Sequence, residues 1–196
     1  ISDNMMDKMI AEKRAIFQDK ENGLNHWVFI GSDNRVKIYT RRMDDHTVKY
    51  PDLVKKFEAC SLPPNTVLAV ELVVDPTHQK HTHVTAFDLM QGISKSDTLR
   101  GQPKENLDRT MELQRDNPVH ACVFHVLYLN GEPIYQSPYE SSWRILADYY
   151  FPKNHINLTF EESTVFRPNN YHFSSSEEVR YWVQEHKDAQ EGLVMW

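Results

Sequence analysis

At 196 residues the chain is long enough to bury one sizeable core or two small ones. Its 40% hydrophobic and 26% charged residues are ordinary for a soluble protein, and no apolar run approaches the roughly 20 residues of a membrane helix, which excludes a helical span. A net charge of −6 disfavours nucleic-acid binding by the chain as a whole but leaves room for a local basic patch. The opening Ile1-Ser2-Asp3-Asn4-Met5 carries neither the basic nor the apolar region of a signal peptide and has no initiator Met, which reads as a processed or cut product. The two cysteines, Cys60 and Cys122, lie far apart and fit neither a zinc pattern nor a redox pair. They are expected to be buried free thiols in an intracellular, reducing compartment.

In chain order, Asp3 to Arg14 is charged, Met-rich and helix-forming. Ala15 to Lys20 is a short strand, ended by the turn dipeptide Asn22-Gly23. His26 to Ile30 and Arg35 to Tyr39 flank Gly31-Ser32-Asp33-Asn34 as a hairpin. Pro51 opens a helix to Cys60 with Leu53, Val54 and Phe57 on one face. Thr66 to Val74 is a long apolar strand holding one carboxylate, Glu71. His83 to Leu89 fits a strand or a helix entry, and Lys95 to Asn117 is helix-capable. Val119 to Leu129 is a second apolar strand closed by Asn130-Gly131. Ser141 to Tyr150 reads as helix and Leu158 to Phe166 as strand. Ser174-Ser175-Ser176 supplies cap chemistry for a helix from Glu177 to Lys187, and Glu191 to Trp196 begins a strand. Strands outnumber helices and the early ones are joined by tight turns, which predicts an α+β fold with antiparallel β-sheets.

Three features point to chemistry: a lysine at a strand end before a turn in Asp19-Lys20-Glu21-Asn22-Gly23, Glu71 inside its apolar strand, and Glu191 before Gly192. A lysine becomes a nucleophile only on losing its proton, which burial, a nearby cation or a metal promotes. A strand end gives it a rigid base, and a following glycine lets backbone or phosphate approach. Carboxylates on neighbouring strands suit Mg²⁺, which offsets polyphosphate charge during attack on an α-phosphorus.

Lys20-Glu21-Asn22-Gly23 resembles the Lys-x-Asp-Gly motif of the covalent nucleotidyltransferases, which include DNA ligases, RNA ligases and mRNA capping enzymes. Tyr39-Thr40-Arg41-Arg42 resembles the ligase Ser-Arg-Arg segment, and Thr66 to Val74 the strand that carries Asp-Gly-Glu, with Glu71 as the glutamate. Val123 to Glu132 (VFHVLYLNGE) is similar to the DNA ligase Phe-Asp-Ile-Leu-Tyr-Leu-x-Gly segment, and Glu191-Gly192-Leu193-Val194 matches Glu-Gly-Leu-Val. The VFHVLYLNGE segment, with the helix around Trp143-Arg144-Ile145-Leu146, leans towards the ATP-dependent DNA ligases.

The resemblance implies a nucleotidyltransferase (ATP-grasp-like) adenylation domain over residues 1–196, antiparallel sheets flanked by helices, using ATP as AMP donor and Mg²⁺. Lys20 would form the phosphoramide with AMP. Gln18 lies where the family reads adenine, and Asn25 where it usually has arginine. Gly23 completes the lysine motif, Arg41 would contact the nucleotide or nick phosphate, and Phe124 would stack on adenine. Glu71 would hold the ribose hydroxyls or metal, and Glu191 the metal. The implied partner is nicked double-stranded DNA, with RNA or hybrid nicks as the alternative. A capping-type nucleotidyltransferase or a non-catalytic nucleic-acid-binding module stays open as an alternative function. The chain departs from the pattern at Asn22 (aspartate), Asn25 (arginine), His125 (aspartate) and Trp196 (lysine). The family's lysine-rich motif and oligonucleotide-binding barrel lie beyond Glu-Gly-Leu-Val, and residues 1–196 hold neither, so a fragment is expected.

Lys13 lacks a glycine at motif spacing, and Leu107 occupies that position after Lys104-Glu105-Asn106, so neither rivals Lys20. His78, His81 and His83 are a solvated group without ligand-spaced partners.

Overall fold

The computed structural model describes residues 1–74, 85–95, 103–150, 165–187 and 192–196. In chain order the elements begin with helix α1 (Asp3–Ala11), strands β1 (Phe17–Asp19), β2 (Leu24–Ile30) and β3 (Val36–Thr40), and helix α2 (Pro51–Ala59). Strand β4 (Thr66–Val74), helices α3 (Ala86–Lys95) and α4 (Pro103–Asp116), and strands β5 (Val119–Leu129) and β6 (Glu132–Pro133) follow. Helix α5 (Tyr139–Tyr150), strands β7 (Val165–Phe166) and β8 (Asn170–Tyr171), helix α6 (Ser176–His186) and strand β9 (Leu193–Met195) complete the series. The chain divides into two compact units, residues 1–22 with 168–196 and residues 23–167.

The first unit holds a three-stranded antiparallel sheet in the order β8-β1-β9. Phe17 is its anchor, 2% exposed, with Met6, Met9 and Ile10 of α1, Phe173, Leu193 and Met195 around it. Helix α1 buries no residue fully and is held to α6 by polar ties. Asp7 accepts from the Ser176 backbone N–H (2.6 Å) and hydroxyl (2.9 Å), and Arg180 pairs with Asp3. Ser175 caps α6, its hydroxyl oxygen accepting from the Glu178 N–H at 3.2 Å.

The second unit is built on a six-stranded sheet, β3-β2-β4-β5-β6, with β7 added parallel to β5 and every other pairing antiparallel. The β2–β3 hairpin turns at Gly31 to Asn34, where Asn34 takes φ 60° and Asp33 accepts from the Arg35 N–H. Along β4 the side chains alternate: Leu68, Val70, Leu72 and Val74 join Tyr50, Leu53, Phe57, Met90, Ile93 and Leu146 in one core. Glu71 therefore belongs to the other face of the sheet. Pro51 occupies the first turn of α2, as its fixed φ favours.

The ambiguous stretch before Leu89 resolves as helix from Ala86, because Thr85 and Asp88 form a reciprocal cap. The Thr85 hydroxyl oxygen accepts from the Asp88 N–H at 3.1 Å and the Asp88 carboxylate accepts from the Thr85 hydroxyl at 2.7 Å. Cys122 is buried as expected, but Cys60, the residue that caps the C-terminus of α2, is only half-buried and packs at the margin of the core. Its thiol, pushed up to about 11 by burial, lies 3.2 Å from the Lys56 carbonyl oxygen. Of the expected strand ending at Phe166, only Val165–Phe166 is described, and the His78, His81, His83 group lies outside the described residues. Among the described residues no helix is long and apolar enough to cross a membrane.

Candidate functional site

In the first unit, β1 is the central strand, so its backbone is bonded on both sides. Opposite β9 the register runs Phe17 with Met195, Gln18 with Val194 and Asp19 with Leu193. The Lys20 N–H extends it one step, donating to the Gly192 carbonyl at 3.0 Å. Strand alternation puts Phe17 and Asp19 on the face towards α1 and α6, and Gln18 and Lys20 on the opposite face. Lys20 itself is exposed.

Around it the polar groups are engaged. Gln18 is 2% exposed; its Nε2 donates to Asn170 Oδ1 and its Oε1 accepts from Trp196 Nε1, both at 3.2 Å. Asp19, 5% exposed, accepts from Asn169 Nδ2 at 2.9 Å, and its backbone N–H donates to the Asn169 carbonyl. Burial, and then the Asp19 charge, push the Glu21 carboxyl up to about 7. The same two causes push the Tyr171 hydroxyl up to about 12. Asn22, in place of the family's aspartate, is exposed.

In the second unit, the expected residues meet at one end of the large sheet. Gly23 sits against β4 so closely that a Cβ would lie 2.2 Å from the Leu72 carbonyl oxygen. The glycine is thus required by close approach of two strands. Asn25 is the direct cross-strand partner of Glu71, whose other neighbour is Cys122. Both Asn25 and Glu71 are half-buried. Arg41 and Arg42 are exposed in a tight turn after β3, where the Thr40 hydroxyl oxygen accepts from the Arg42 and Asp44 N–H groups and Met43 takes φ 69°. His26, next to Asn25, pairs with Thr40, so this turn lies beside the Asn25 end of β2.

Phe124 occupies an irregularity of the β4–β5 ladder. Val70 pairs with Val123 and Ala69 with His125, so Phe124 is the inserted residue of a β-bulge, the device by which strands re-aim a side chain. The Tyr139 hydroxyl fixes its carbonyl at 2.9 Å. His125, the departure from aspartate, lies 2.7 Å from the Ser142 hydroxyl of α5, which also accepts from the Val126 N–H at 2.6 Å. Burial lowers its basicity, so the neutral ring suits this contact.

Glu191 lies outside the described residues. Among the described residues no three His, Cys, Asp or Glu side chains cluster as a metal site. The Glu71 carboxylate and Asn25 amide, opposite each other, are hard oxygen donors of the kind Mg²⁺ accepts. The sequence reading missed Asn169 and Asn170, which hold Asp19 and Gln18, and the indole contact of Trp196. The only local signal was the Pro168-Asn169-Asn170 turn chemistry.

Residues 2–195 match the ATP dependent DNA ligase domain family. A probable DNA ligase of Koribacter versatilis is 24% identical over 93% of this chain and 31% of its own length. A DNA ligase of Caldivirga maquilingensis is 25% identical over 73% of this chain and 22% of its own length. The chain thus spans less than a third of the curated relatives it matches. Mycobacterial DNA ligase D, solved with ATP and MES, superposes with TM-score 0.59 at 20% identity, covering 92% of this chain and 47% of that one. The ATP-dependent ligase of bacteriophage T7, solved with ATP, gives TM-score 0.57 at 12% identity, covering 100% and 60%. These likenesses establish the fold as that of the ligase nucleotidyltransferase domain.

Proposed function

The chain belongs to the ATP-dependent DNA ligase domain family, and from that premise we propose that residues 1–196 form one adenylation domain in which Lys20 takes AMP from ATP for sealing nicks in duplex DNA. One observation carries the reading. Lys20 follows a buried central strand and is paired through its backbone with Gly192, so two motifs from opposite ends of the chain meet at the nucleophile.

In the proposed first step the neutral Lys20 Nζ attacks the α-phosphorus of ATP. An N–P bond forms, the bond from that phosphorus to the bridging oxygen breaks, and pyrophosphate leaves with the electron pair while the amine proton goes to solvent. The nick's 5′-phosphate oxygen then displaces lysine from the phosphorus, and finally the 3′-hydroxyl displaces AMP, giving the phosphodiester. Gln18 would read the base, Phe124 stack on it, and Gly23 and Asn25 line the nucleotide site. Arg41 would bind phosphate. Glu71 would hold the ribose or, with Glu191, Mg²⁺. When bound, Mg²⁺ would offset the polyphosphate charge that repels the attacking group. Such a substrate belongs to replication, repair and recombination inside the cell.

The test is incubation of the full-length protein with Mg²⁺ and radiolabelled ATP or GTP, followed by nicked DNA or nicked RNA. An acid-labile AMP adduct that is consumed on nicked DNA supports the reading. A GMP adduct would assign capping-type chemistry, preferential sealing of RNA an RNA ligase, and no adduct a non-catalytic module.

A further inference from the structure

Trp196 stands on the same sheet as the nucleophile, one residue beyond β9. Its backbone exchanges both hydrogen bonds with Ile16, the N–H donating at 2.9 Å and the carbonyl accepting at 3.2 Å. By register, Ile16, Gln18 and Lys20 share one face with Val194 and Trp196. On that face the indole N–H donates to Gln18 Oε1 across the diagonal of the ladder.

An indole nitrogen can only donate, whereas a primary amide donates from one end and accepts at the other. Turning the Gln18 amide over would set an N–H against the indole N–H, inside a site where Gln18 is 2% exposed. The partner on the other side, Asn170, cannot make this choice, because its own amide can turn over together with that of Gln18. Of these two partners, it is Trp196 that dictates which end of Gln18 is oxygen and which is nitrogen.

That choice matters for a base. Adenine offers an amino donor at the position where guanine offers a carbonyl acceptor. An amide free to turn over satisfies either base, and an amide held one way satisfies one. We infer that Trp196 is a positioning residue that fixes the Gln18 amide and so sets the preference of the site for ATP over GTP. The inference rests on the reading of Gln18 as the base-contacting residue of an adenylation site.

The test compares Trp196→Phe, Asn170→Ala, Gln18→Leu and the Trp196→Phe/Gln18→Leu pair in the full-length protein, reading Lys20-dependent adduct formation with ATP and with GTP. Trp196→Phe keeps an aromatic ring and removes the donor; the ATP-over-GTP preference in kcat/KM should fall roughly threefold to tenfold, the scale of one neutral hydrogen bond. Asn170→Ala should weaken binding of both nucleotides and keep the preference, because the indole still sets the orientation. The double variant should match Gln18→Leu alone, because the indole acts through the amide. An unchanged preference in Trp196→Phe, an equal loss of preference in Asn170→Ala, or independent multiplication of the two effects in the double variant would each overturn the inference. A wild-type protein that forms no Lys20 adduct would overturn the adenylation reading itself, and this inference with it.

Discussion

A methyl group on Gly23 would stand 2.2 Å from the Leu72 carbonyl oxygen and 2.7 Å from Val73 Cγ1. The first of these contacts is backbone of a central strand, which cannot swing aside as a long side chain can. Gly23→Ala should therefore cost about 1–3 kcal/mol of stability, the usual scale of overpacking, read from urea unfolding; wild-type stability would contradict this account of the glycine. The residue type was legible from the Lys-x-x-Gly string, but its reason was not, because β4 is a distant segment. Likewise His125 read only as a departure from the family. Its contact with Ser142 gives it a structural partner, and Ser142 also satisfies the Val126 N–H. Ser142→Ala leaves that buried donor unpaired and should cost about 1–3 kcal/mol, measured in the same way.

At the scale of elements, periodicity and cap chemistry served well where the signal is local. Strands β4 and β5 have the bounds read from their apolar runs, and the hairpin turns where Gly31 to Asn34 indicated. What local pattern misses is pairing. Strands β6, β7 and β8 span two residues each and carry no period, so they exist only through their partners. The bulge at Phe124 depends on how β5 meets β4, which no window of β5 alone contains. Helix α3 is the opposite case: the Thr85-x-x-Asp88 box decides helix over strand. Thr85→Ala should therefore cost about 1 kcal/mol and raise amide exchange across the first turn of α3; an unchanged exchange rate there would contradict the cap's role.

Across the whole molecule, the chain falls into two compact units, of which one joins residues 1–22 with 168–196. That unit pairs β1, the strand leading to Lys20, with a strand from the far end of the chain. The two units also carry buried groups with opposite pH signatures. In residues 23–167, burial pushes His26 down to about 4 against the opposing Leu24 carbonyl, with the charges of His46 and Lys49 adding to the depression. Between the ordinary value of 6.5 and about 4 the unfolded chain binds the proton that the folded one refuses. The stability His26 contributes is therefore present above about pH 6.5 and lost as pH falls towards 4, on the order of 3 kcal/mol in all. Glu21, raised to about 7, has the reverse sign: its contribution is present below 4.5 and lost as pH rises through about 7. Because the two shifts oppose each other, the urea midpoint should fall further between about pH 5 and about pH 7.5 in His26→Gln than in wild type, the loss at Glu21 being no longer offset. An unaltered difference would contradict the assignment to His26.

The central claim concerns one atom, the Lys20 Nζ, and the most direct test is peptide mapping by mass spectrometry of the full-length protein after exposure to MgATP. The account predicts one AMP per chain, carried on the peptide containing Lys20 and absent from Lys20→Ala. AMP carried on another residue, such as Lys13 or Lys104, or no AMP under conditions where the protein is folded, would contradict it.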